Sequence, residues 1–173
     1  MTNRKLIKFF MLFSMVAACS LAGNFDDFES YTDIAELKKN YTVFDANNPF
    51  PELCSLEREG DNQFASFGAI DQTYAVLVRE VVFPLQHRNS ALKLKLRGSA
   101  GGSDQITAIV TVRHEKTGDN IAEQRFLLPV NEWREVKLDC PELLKFDSCA
   151  ILISWFTEPG KPGKLDVDDL AWA

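Results

Sequence analysis

The sequence predicts an all-β fold, an antiparallel two-sheet β-sandwich of the jelly-roll type. Short segments alternate apolar and polar residues, and turn-forming residues separate them at the spacing expected of a sandwich. Helical periodicity is confined to one short segment. Two packed sheets are the arrangement in which such strands bury their apolar faces. At 173 residues the chain is long enough for one domain with its own core.

The first elements predicted along the chain are one short helix and four strands. The helix covers residues 33–39, which is one or two turns. Asp71 and Gln72 form the turn between the third and fourth strands. These four strands cover residues 41–46, 53–59, 64–69 and 73–83.

The strand predicted over residues 91–97 has the clearest alternation in the sequence. Leucines at every second position point to one side, and basic residues point to the other. A glycine-rich turn is expected over residues 98–103, and a hairpin turn over residues 117–120. The remaining strands cover residues 106–115, 121–128, 133–138, 150–157 and 165–172.

Residues 1–18 have the composition of an export signal. Three basic residues precede an apolar stretch that is too short to span a bilayer. Residues 16–19, Val-Ala-Ala-Cys, resemble the lipobox of bacterial lipoproteins, in which Cys19 is lipidated and becomes the new N-terminus. The alternative is ordinary cleavage after Ala22. With the lipobox, residues 19–24 are a tether, residues 25–173 form the sandwich, and the protein is anchored at the outer membrane or cell surface of a bacterial envelope. Otherwise it is secreted or periplasmic.

The charge balance argues against nucleic acid as a partner. The net charge is −6 at pH 7, and removal of residues 1–18 leaves 16 basic against 25 acidic side chains, a net charge of −9. Binding to phosphate backbones requires an excess of Lys and Arg. An acidic chain outside the cytoplasm is better suited to neutral sugars or cations.

Cys140 and Cys149 flank a short loop, and an oxidising envelope location would permit a disulfide between them. The alternative is that both are small, buried apolar residues, which is also expected of Cys54. No Cys-x-x-Cys spacing is present, so a zinc site is not expected.

Four motifs in order resemble those of jelly-roll carbohydrate-binding modules, in particular family eleven and its galactose-binding-like relatives. The motifs are Phe-Glu at 28–29, Ala-Leu-Lys-Leu-Lys-Leu at 91–96, Glu-Trp-Arg-Glu-Val-Lys-Leu at 132–138, and Leu-Asp-Val-Asp-Asp-Leu at 165–170. The resemblance covers residues from about 24 to 173. It implies a non-catalytic module with a sugar cleft on one sheet, whose contact residues no motif fixes.

Both ends of the sandwich domain are rich in carboxylates. If the first and last strands meet, they form an oxygen cage suited to calcium. The resemblance implies that Glu29 and either Asp168 or Asp169 bind this structural calcium. The alternative is an acidic, solvated strand end.

Sugar contacts are sought among aromatic and hydrogen-bonding side chains. Tyr74 and Trp155 are candidates for stacking on sugar rings, and Arg97 and Arg113 for paired hydrogen bonds to hydroxyl groups. For each aromatic the alternative is a place in the core, and for each arginine a solvated sheet face.

Carbohydrate binding by a lipid-anchored envelope protein is the leading functional hypothesis, with a polysaccharide or oligosaccharide as partner. The chain has no Gly-x-Ser-x-Gly, His-Glu-x-x-His or phosphate-loop motif, so it is not expected to be an enzyme. The alternatives are a structural or adhesive lipoprotein that binds envelope proteins, and a small polysaccharide lyase or hydrolase.

Overall fold

The computed structural model describes residues 24–44, 54–69, 74–83, 89–100, 104–156 and 161–173, and it confirms the predicted two-sheet jelly roll. The expected turn at Asp71-Gln72 and the export signal with Cys19 lie outside the described residues. No helix in the described part of the chain is long and apolar enough to cross a membrane.

The six-stranded sheet has the order β3-β4-β11-β6-β9, and β1 pairs with the second half of β11. All of these pairings are antiparallel. Its strands are β1 (Asn24–Asp26), β3 (Cys54–Glu59), β4 (Asn62–Ala69), β6 (Ala91–Ala100), β9 (Arg134–Asp139) and β11 (Gly163–Trp172).

The five-stranded sheet has the order β2-β5-β10-β7-β8, also antiparallel throughout. Neighbouring strands in both sheets are often distant in sequence, which is the crossing pattern of a jelly roll. Its strands are β2 (Thr42–Phe44), β5 (Tyr74–Val82), β7 (Gln105–His114), β8 (Asn120–Pro129) and β10 (Ser148–Phe156).

The predicted helix is α1 (Ile34–Asn40), one residue later than expected. Asp33 caps it, because its carboxylate accepts a hydrogen bond from the Glu36 N–H at 2.9 Å. The Glu36 carboxylate in turn accepts from the Thr32 N–H at 2.8 Å. These reciprocal bonds fix the start of a helix only seven residues long, which contacts β3.

The core lies between the sheets and follows the predicted alternation. Leu92, Leu94 and Leu96 of β6 are 0–1% exposed, and the alternate residues of β7 oppose them from the other sheet. The turn predicted over residues 98–103 is wrong for its first three residues, because β6 continues to Ala100 and Gly98 lies within it. Residues 101–103 lie outside the described residues. A Cβ atom at Gly98 would lie 1.9 Å from Cγ2 of Ile106. Glycine is therefore required here by close packing between β6 and β7.

Of the two alternatives for Cys140 and Cys149, the structure has the second: no disulfide joins them, and both are free, buried thiols. Burial, and next the neighbouring Cys140, raises the pKa of Cys149 to about 12. Burial also raises the pKa of Cys140 to about 11. The two side chains are thus close together in an apolar environment, where they act as small core residues, as does Cys54.

The first and last strands meet, which is the condition that the predicted calcium site needs. Asn24 pairs with Ala171 and Asp26 with Leu170. The register of β11 against β6 shifts between Asp168 and Ala171, and Asp169 has a φ of 50° within this irregularity. The bulge brings the acidic end of β11 beside the start of β4.

Candidate functional site

The outer face of the six-stranded sheet carries a network of ion pairs centred on Arg97. Its Nε donates to Oδ2 of Asp166 at 2.8 Å, and its Nη1 donates to Oε2 of Glu59 at 2.7 Å. Ser66 donates to the other oxygen of Asp166 at 2.7 Å. Burial lowers the pKa of Arg97, but the two carboxylates outweigh this and leave the pKa raised. The candidate ligand residue Arg97 is therefore engaged by protein acceptors.

An aromatic stack covers this arginine. The Arg97 guanidinium lies 4.5 Å from the ring centroid of Trp133 and 4.9 Å from that of Phe64. Trp133 and Phe64 meet edge to face at 5.3 Å. Trp133 lies half-buried on the outer face, and its stack explains how Phe64 is buried outside the core cluster.

The outer face of the five-stranded sheet has a different character, with an apolar centre that is partly exposed. Leu152 of β10 and Ile109 of β7 are half-buried side chains on this face. At one end of the sheet Phe156 is 39% exposed and Leu127 is 62% exposed. Carbohydrates present apolar C–H faces as well as hydroxyl groups, so an apolar strip of this kind suits one side of a sugar chain.

Beside the apolar centre lies a group of polar side chains that we call the β7–β8 polar cluster, formed by Thr111, Arg113, Asn120 and Glu123. Arg113 Nε donates to the Asn120 amide oxygen at 3.2 Å. Asn120 and Thr111 both donate to Oε2 of Glu123, at 2.9 and 3.2 Å. These contacts order both donors and acceptors at the edge of an apolar strip, which is the arrangement that orients hydroxylated ligands.

The opposite edge of the same face ends in a depression of about 380 Å³. Val78 forms its apolar floor, and α1 supplies two of its polar side chains. The lining residues are Lys39, Asn40, Thr42, Val78 and Glu80. The short helix therefore shapes one border of the five-stranded sheet.

The structure brings Arg113 to this face, where it is half-buried within the β7–β8 polar cluster. Tyr74 is described only by its backbone, which pairs with Phe156 in the register of β5 and β10. Trp155 was a wrong choice, since it is 0% exposed in the core and cannot stack on a ligand. Arg97 belongs to the other sheet.

The candidate metal ligands converge only in part. Oε1 of Glu29 accepts from the Gln63 N–H at 2.5 Å, and Oδ2 of Asp168 accepts from the Asn62 amide at 3.0 Å. Both carboxylates thus lie at the first two residues of β4. Asp169 instead pairs with Lys95 at 2.6 Å.

This arrangement does not by itself complete a calcium site. Calcium takes about six to eight oxygen ligands. The described residues contain no group of three or more His, Cys, Asp or Glu side chains placed to hold a metal. Burial, with a contribution from Asp169, raises the pKa of Asp168, whereas the Asn62 hydrogen bond lowers it. Calcium at Glu29 and Asp168 stays a prediction, and it would need main-chain or water oxygens.

Sequence reasoning missed a buried polar cluster between the sheets, which we call the Asp26 cluster: Asp26, Tyr31, Tyr41 and Arg79. Oδ2 of Asp26 accepts from Tyr41 at 2.5 Å, from Tyr31 at 2.9 Å and from Arg79 at 2.9 Å. Burial and the Asp26 charge raise the pKa of both tyrosines, so both hydroxyls keep their protons and donate. Members come from four separate segments, and no local motif could have indicated their meeting.

Three solved structures place this fold among known proteins; no protein-family model and no curated protein matches the chain. A carbohydrate-binding module of the β-sandwich superfamily with promiscuous specificity has a TM-score of 0.61 at 12% identity, over 87% of this chain and 61% of that one. The family 11 carbohydrate-binding module from Clostridium thermocellum, in complex with a β-1,3-1,4-mixed-linked tetrasaccharide, has a TM-score of 0.54 at 11% identity, over 87% of this chain and 94% of that one. A family 28 module specific for non-crystalline cellulose has a TM-score of 0.50 at 13% identity, over 69% of this chain and 79% of that one. At these identities, the similarities establish the β-sandwich fold.

Proposed function

We propose that this protein is a non-catalytic carbohydrate-binding module whose ligand lies on the outer face of the five-stranded sheet. The observation that carries the proposal is the partly exposed apolar strip with Phe156 at one end and the β7–β8 polar cluster at its side. A sugar ring uses both kinds of contact at once, because its C–H face is apolar and its edge carries hydroxyl groups.

The other outer face is less suited to a ligand because its charges are already paired. Arg97 is held by Asp166 and Glu59, and Lys164 pairs with Glu57 at 3.0 Å. A ligand hydroxyl would have to displace these charge-assisted contacts, which are stronger than hydrogen bonds between neutral groups.

The solved structures of similar fold support the ligand class. One is a complex with a mixed-linked tetrasaccharide, and another is specific for non-crystalline cellulose. Fold similarity alone does not fix function, so the choice of a polysaccharide rests on the face described above.

Affinity gel electrophoresis of the purified protein tests this proposal. The gels contain mixed-linked β-glucan, xylan, mannan or pectin, and retardation identifies the ligand. Phe156→Ala and Arg113→Ala should each weaken binding about fivefold to tenfold, since anchoring contacts typically contribute more than 1 kcal/mol. Leu144→Ala and Arg134→Ala are matched controls, exposed away from this face, and should bind normally.

Three results would contradict the proposal. Unretarded migration in every gel would show that the protein does not bind these polysaccharides. An equal loss of binding in the control variants would show that the ligand does not lie on the outer face of the five-stranded sheet. Release of reducing or unsaturated ends from any of these polysaccharides would replace the module with a lyase or hydrolase.

One observation supports protein binding as a second candidate function. Leu127 is 62% exposed and Phe156 is 39% exposed, and both lie beside Thr107 at the same end of the five-stranded sheet. Neighbouring exposed apolar side chains form the kind of patch that marks protein interaction sites. A stable envelope protein recovered by crosslinking, together with no retardation in any glycan gel, would favour this function.

We also propose that the module is lipid-anchored through Cys19 at a bacterial envelope, which would hold its ligand near the cell. The support is the Val-Ala-Ala-Cys sequence at residues 16–19. Cys19→Ser should leave the precursor unprocessed or move the protein out of the membrane fraction. Unchanged processing and fractionation would exclude the lipobox.

A further inference from the structure

A second cavity, of about 230 Å³, lies where β1, the loop after it and β5 meet. We call it the edge pocket. Its walls combine one aromatic ring, one guanidinium group and several oxygen-bearing side chains. The lining residues are Phe25, Asp26, Asp27, Ser30, Tyr31 and Arg79.

The inner wall of the edge pocket is fixed by the Asp26 cluster. Asp26 is 7% exposed, and its Oδ1 accepts from the Phe28 N–H at 3.0 Å while its Oδ2 takes the three donors described above. The Tyr31 hydroxyl donates to Asp26 and accepts from the Asn40 amide at 3.1 Å. A wall with so many internal bonds holds its shape without a ligand, which reduces the entropy cost of binding.

Arg79 has a donor for which the described structure offers no acceptor. Its Nη1 donates to Oδ2 of Asp26 at 2.9 Å and to the Tyr31 hydroxyl at 3.3 Å, but its Nε is buried and makes no hydrogen bond. An unpaired buried donor costs about 1–3 kcal/mol. Nε itself has almost no accessible surface, so an oxygen atom in the edge pocket recovers that free energy only if the Arg79 side chain turns its Nε toward the pocket.

The rim of the edge pocket carries hydrogen-bond acceptors and an aromatic ring, which complement the Arg79 donor. Asp27 and Ser30 are exposed and offer a carboxylate and a hydroxyl. Phe25 is half-buried, stacked on Trp172 with ring centroids 5.3 Å apart, so its ring is held in place. Arg79 lies 5.7 Å from the centroid of the same ring.

We propose that the edge pocket binds a single sugar ring, the terminal or branch residue of the polysaccharide. A ring oxygen or hydroxyl would accept from Arg79, a second hydroxyl would donate to Asp27, and the apolar face of the ring would contact Phe25. The volume of 230 Å³ is below the range of about 300–1,000 Å³ of pockets that hold larger ligands, so one ring is the expected size.

The edge pocket adjoins the proposed binding face. Asn40 lines the depression on that face, and its amide donates to Tyr31, which lines the edge pocket. Val78 and Glu80 line the depression on the outer face, whereas the intervening Arg79 points to the opposite side of β5 and lines the edge pocket there, so the two cavities are joined around the edge of this strand. A glycan on the sheet can therefore place an end or a branch over the edge of β5. This proposal rests on the carbohydrate-binding function proposed above.

The test is a titration of the ¹⁵N-labelled protein with glucose, galactose, mannose and xylose, followed by NMR. At least one monosaccharide should shift the amide signals of Asp27, Ser30 and Tyr31 and the side-chain Nε signal of Arg79. Asp27→Asn combined with Ser30→Ala should weaken this binding about tenfold, because hydrogen bonds to a charged group are lost. Asp104→Asn is the matched control in an exposed segment and should leave the monosaccharide shifts unchanged.

The outcomes separate this proposal from the one on which it rests. If a polysaccharide binds with dependence on Phe156 but no monosaccharide shifts the edge-pocket signals, the edge pocket is not a sugar site and the binding face stands. If neither binds, both proposals are overturned. Monosaccharide shifts that survive the double substitution place the sugar elsewhere and also overturn this proposal.

Discussion

Asp26 ties the two sheets together by electrostatics and hydrogen bonding. It belongs to β1 in the six-stranded sheet, and its Oδ2 accepts from Arg79 of β5 in the five-stranded sheet. The side chains of the pair are only 5% and 20% exposed. Each charge is therefore tolerated inside the sandwich because the other is present.

We expect Asp26→Asn to lower the free energy of unfolding by about 3 kcal/mol, since it leaves a buried cation without its counter-charge. Tyr41→Phe, which removes one hydrogen bond to Asp26, should cost about 1 kcal/mol. Asp27→Asn is the adjacent exposed control and should change the free energy by less than about 0.5 kcal/mol. Urea unfolding at pH 7 measures all three. If Asp26→Asn and Asp27→Asn lowered the free energy of unfolding by similar amounts, the charge of Arg79 would be compensated by water and not by Asp26.

The sequence predicts the burial of a single residue where the alternation of its own strand determines which way the side chain points. It fails where a contact with a strand distant in sequence determines the burial. Trp155 shares strand parity with the core residues Ile151 and Ile153, so its burial was available from the alternation. Trp133 shares parity with outward-facing residues of β9, but its partner Phe64 comes from β4, far away in sequence. No local pattern indicates that contact.

Among the elements, β6 shows how packing between strands overrides a local turn preference. Glycine and serine after Arg97 favour a turn, yet β6 continues through Gly98 and pairs with β11 at Leu165. The reason is steric, because Ile106 of β7 occupies the space that a Cβ atom at position 98 would need. Glycine thus serves close strand packing here and not chain reversal.

We expect Gly98→Ala to lower the free energy of unfolding by about 2–3 kcal/mol, since overpacking forces side chains or backbone to move. The double variant Gly98→Ala with Ile106→Ala removes the clashing Cγ2 atom. It should therefore be more stable than the sum of the two single losses requires. Urea unfolding of the four proteins in this cycle measures the coupling free energy. Additive losses would show that Ile106 moves aside without cost.

Across the whole molecule, most strand positions followed from the sequence, but the short strand β1 and the position of the candidate ligand face did not. Alternation gives two faces for each strand and leaves open which sheet it joins. Arg97 and Arg113 have equivalent patterns, yet one lies in an ion-pair network and the other beside an apolar strip. Sheet membership, set by long-range pairing, makes the difference.

The ionisation of Asp168 also contributes to the way in which the free energy of unfolding depends on pH. Burial raises the pKa of Asp168 above its usual 3.8. A carboxyl group whose pKa is raised by folding stabilises the fold while protonated, and that contribution is lost as the pH rises through the folded-state pKa. Ionised Asp168 therefore costs stability at neutral pH, and a bound cation would offset the cost.

Melting temperatures of the unaltered protein and of Asp168→Asn, with calcium and with a chelator, test whether Glu29 and Asp168 bind a calcium ion. In a chelator at pH 7, we expect Asp168→Asn to melt at or above the temperature of the unaltered protein, because the penalised charge is gone. With calcium at about 100 times its dissociation constant, the unaltered protein should gain about 2.7 kcal/mol and melt later, and the order should reverse. Glu29→Gln should abolish the calcium response, and Asp104→Asn should keep it. Melting curves indifferent to calcium and chelator in every variant would show that the Asn62 amide and the Gln63 N–H satisfy these carboxylates without a metal ion.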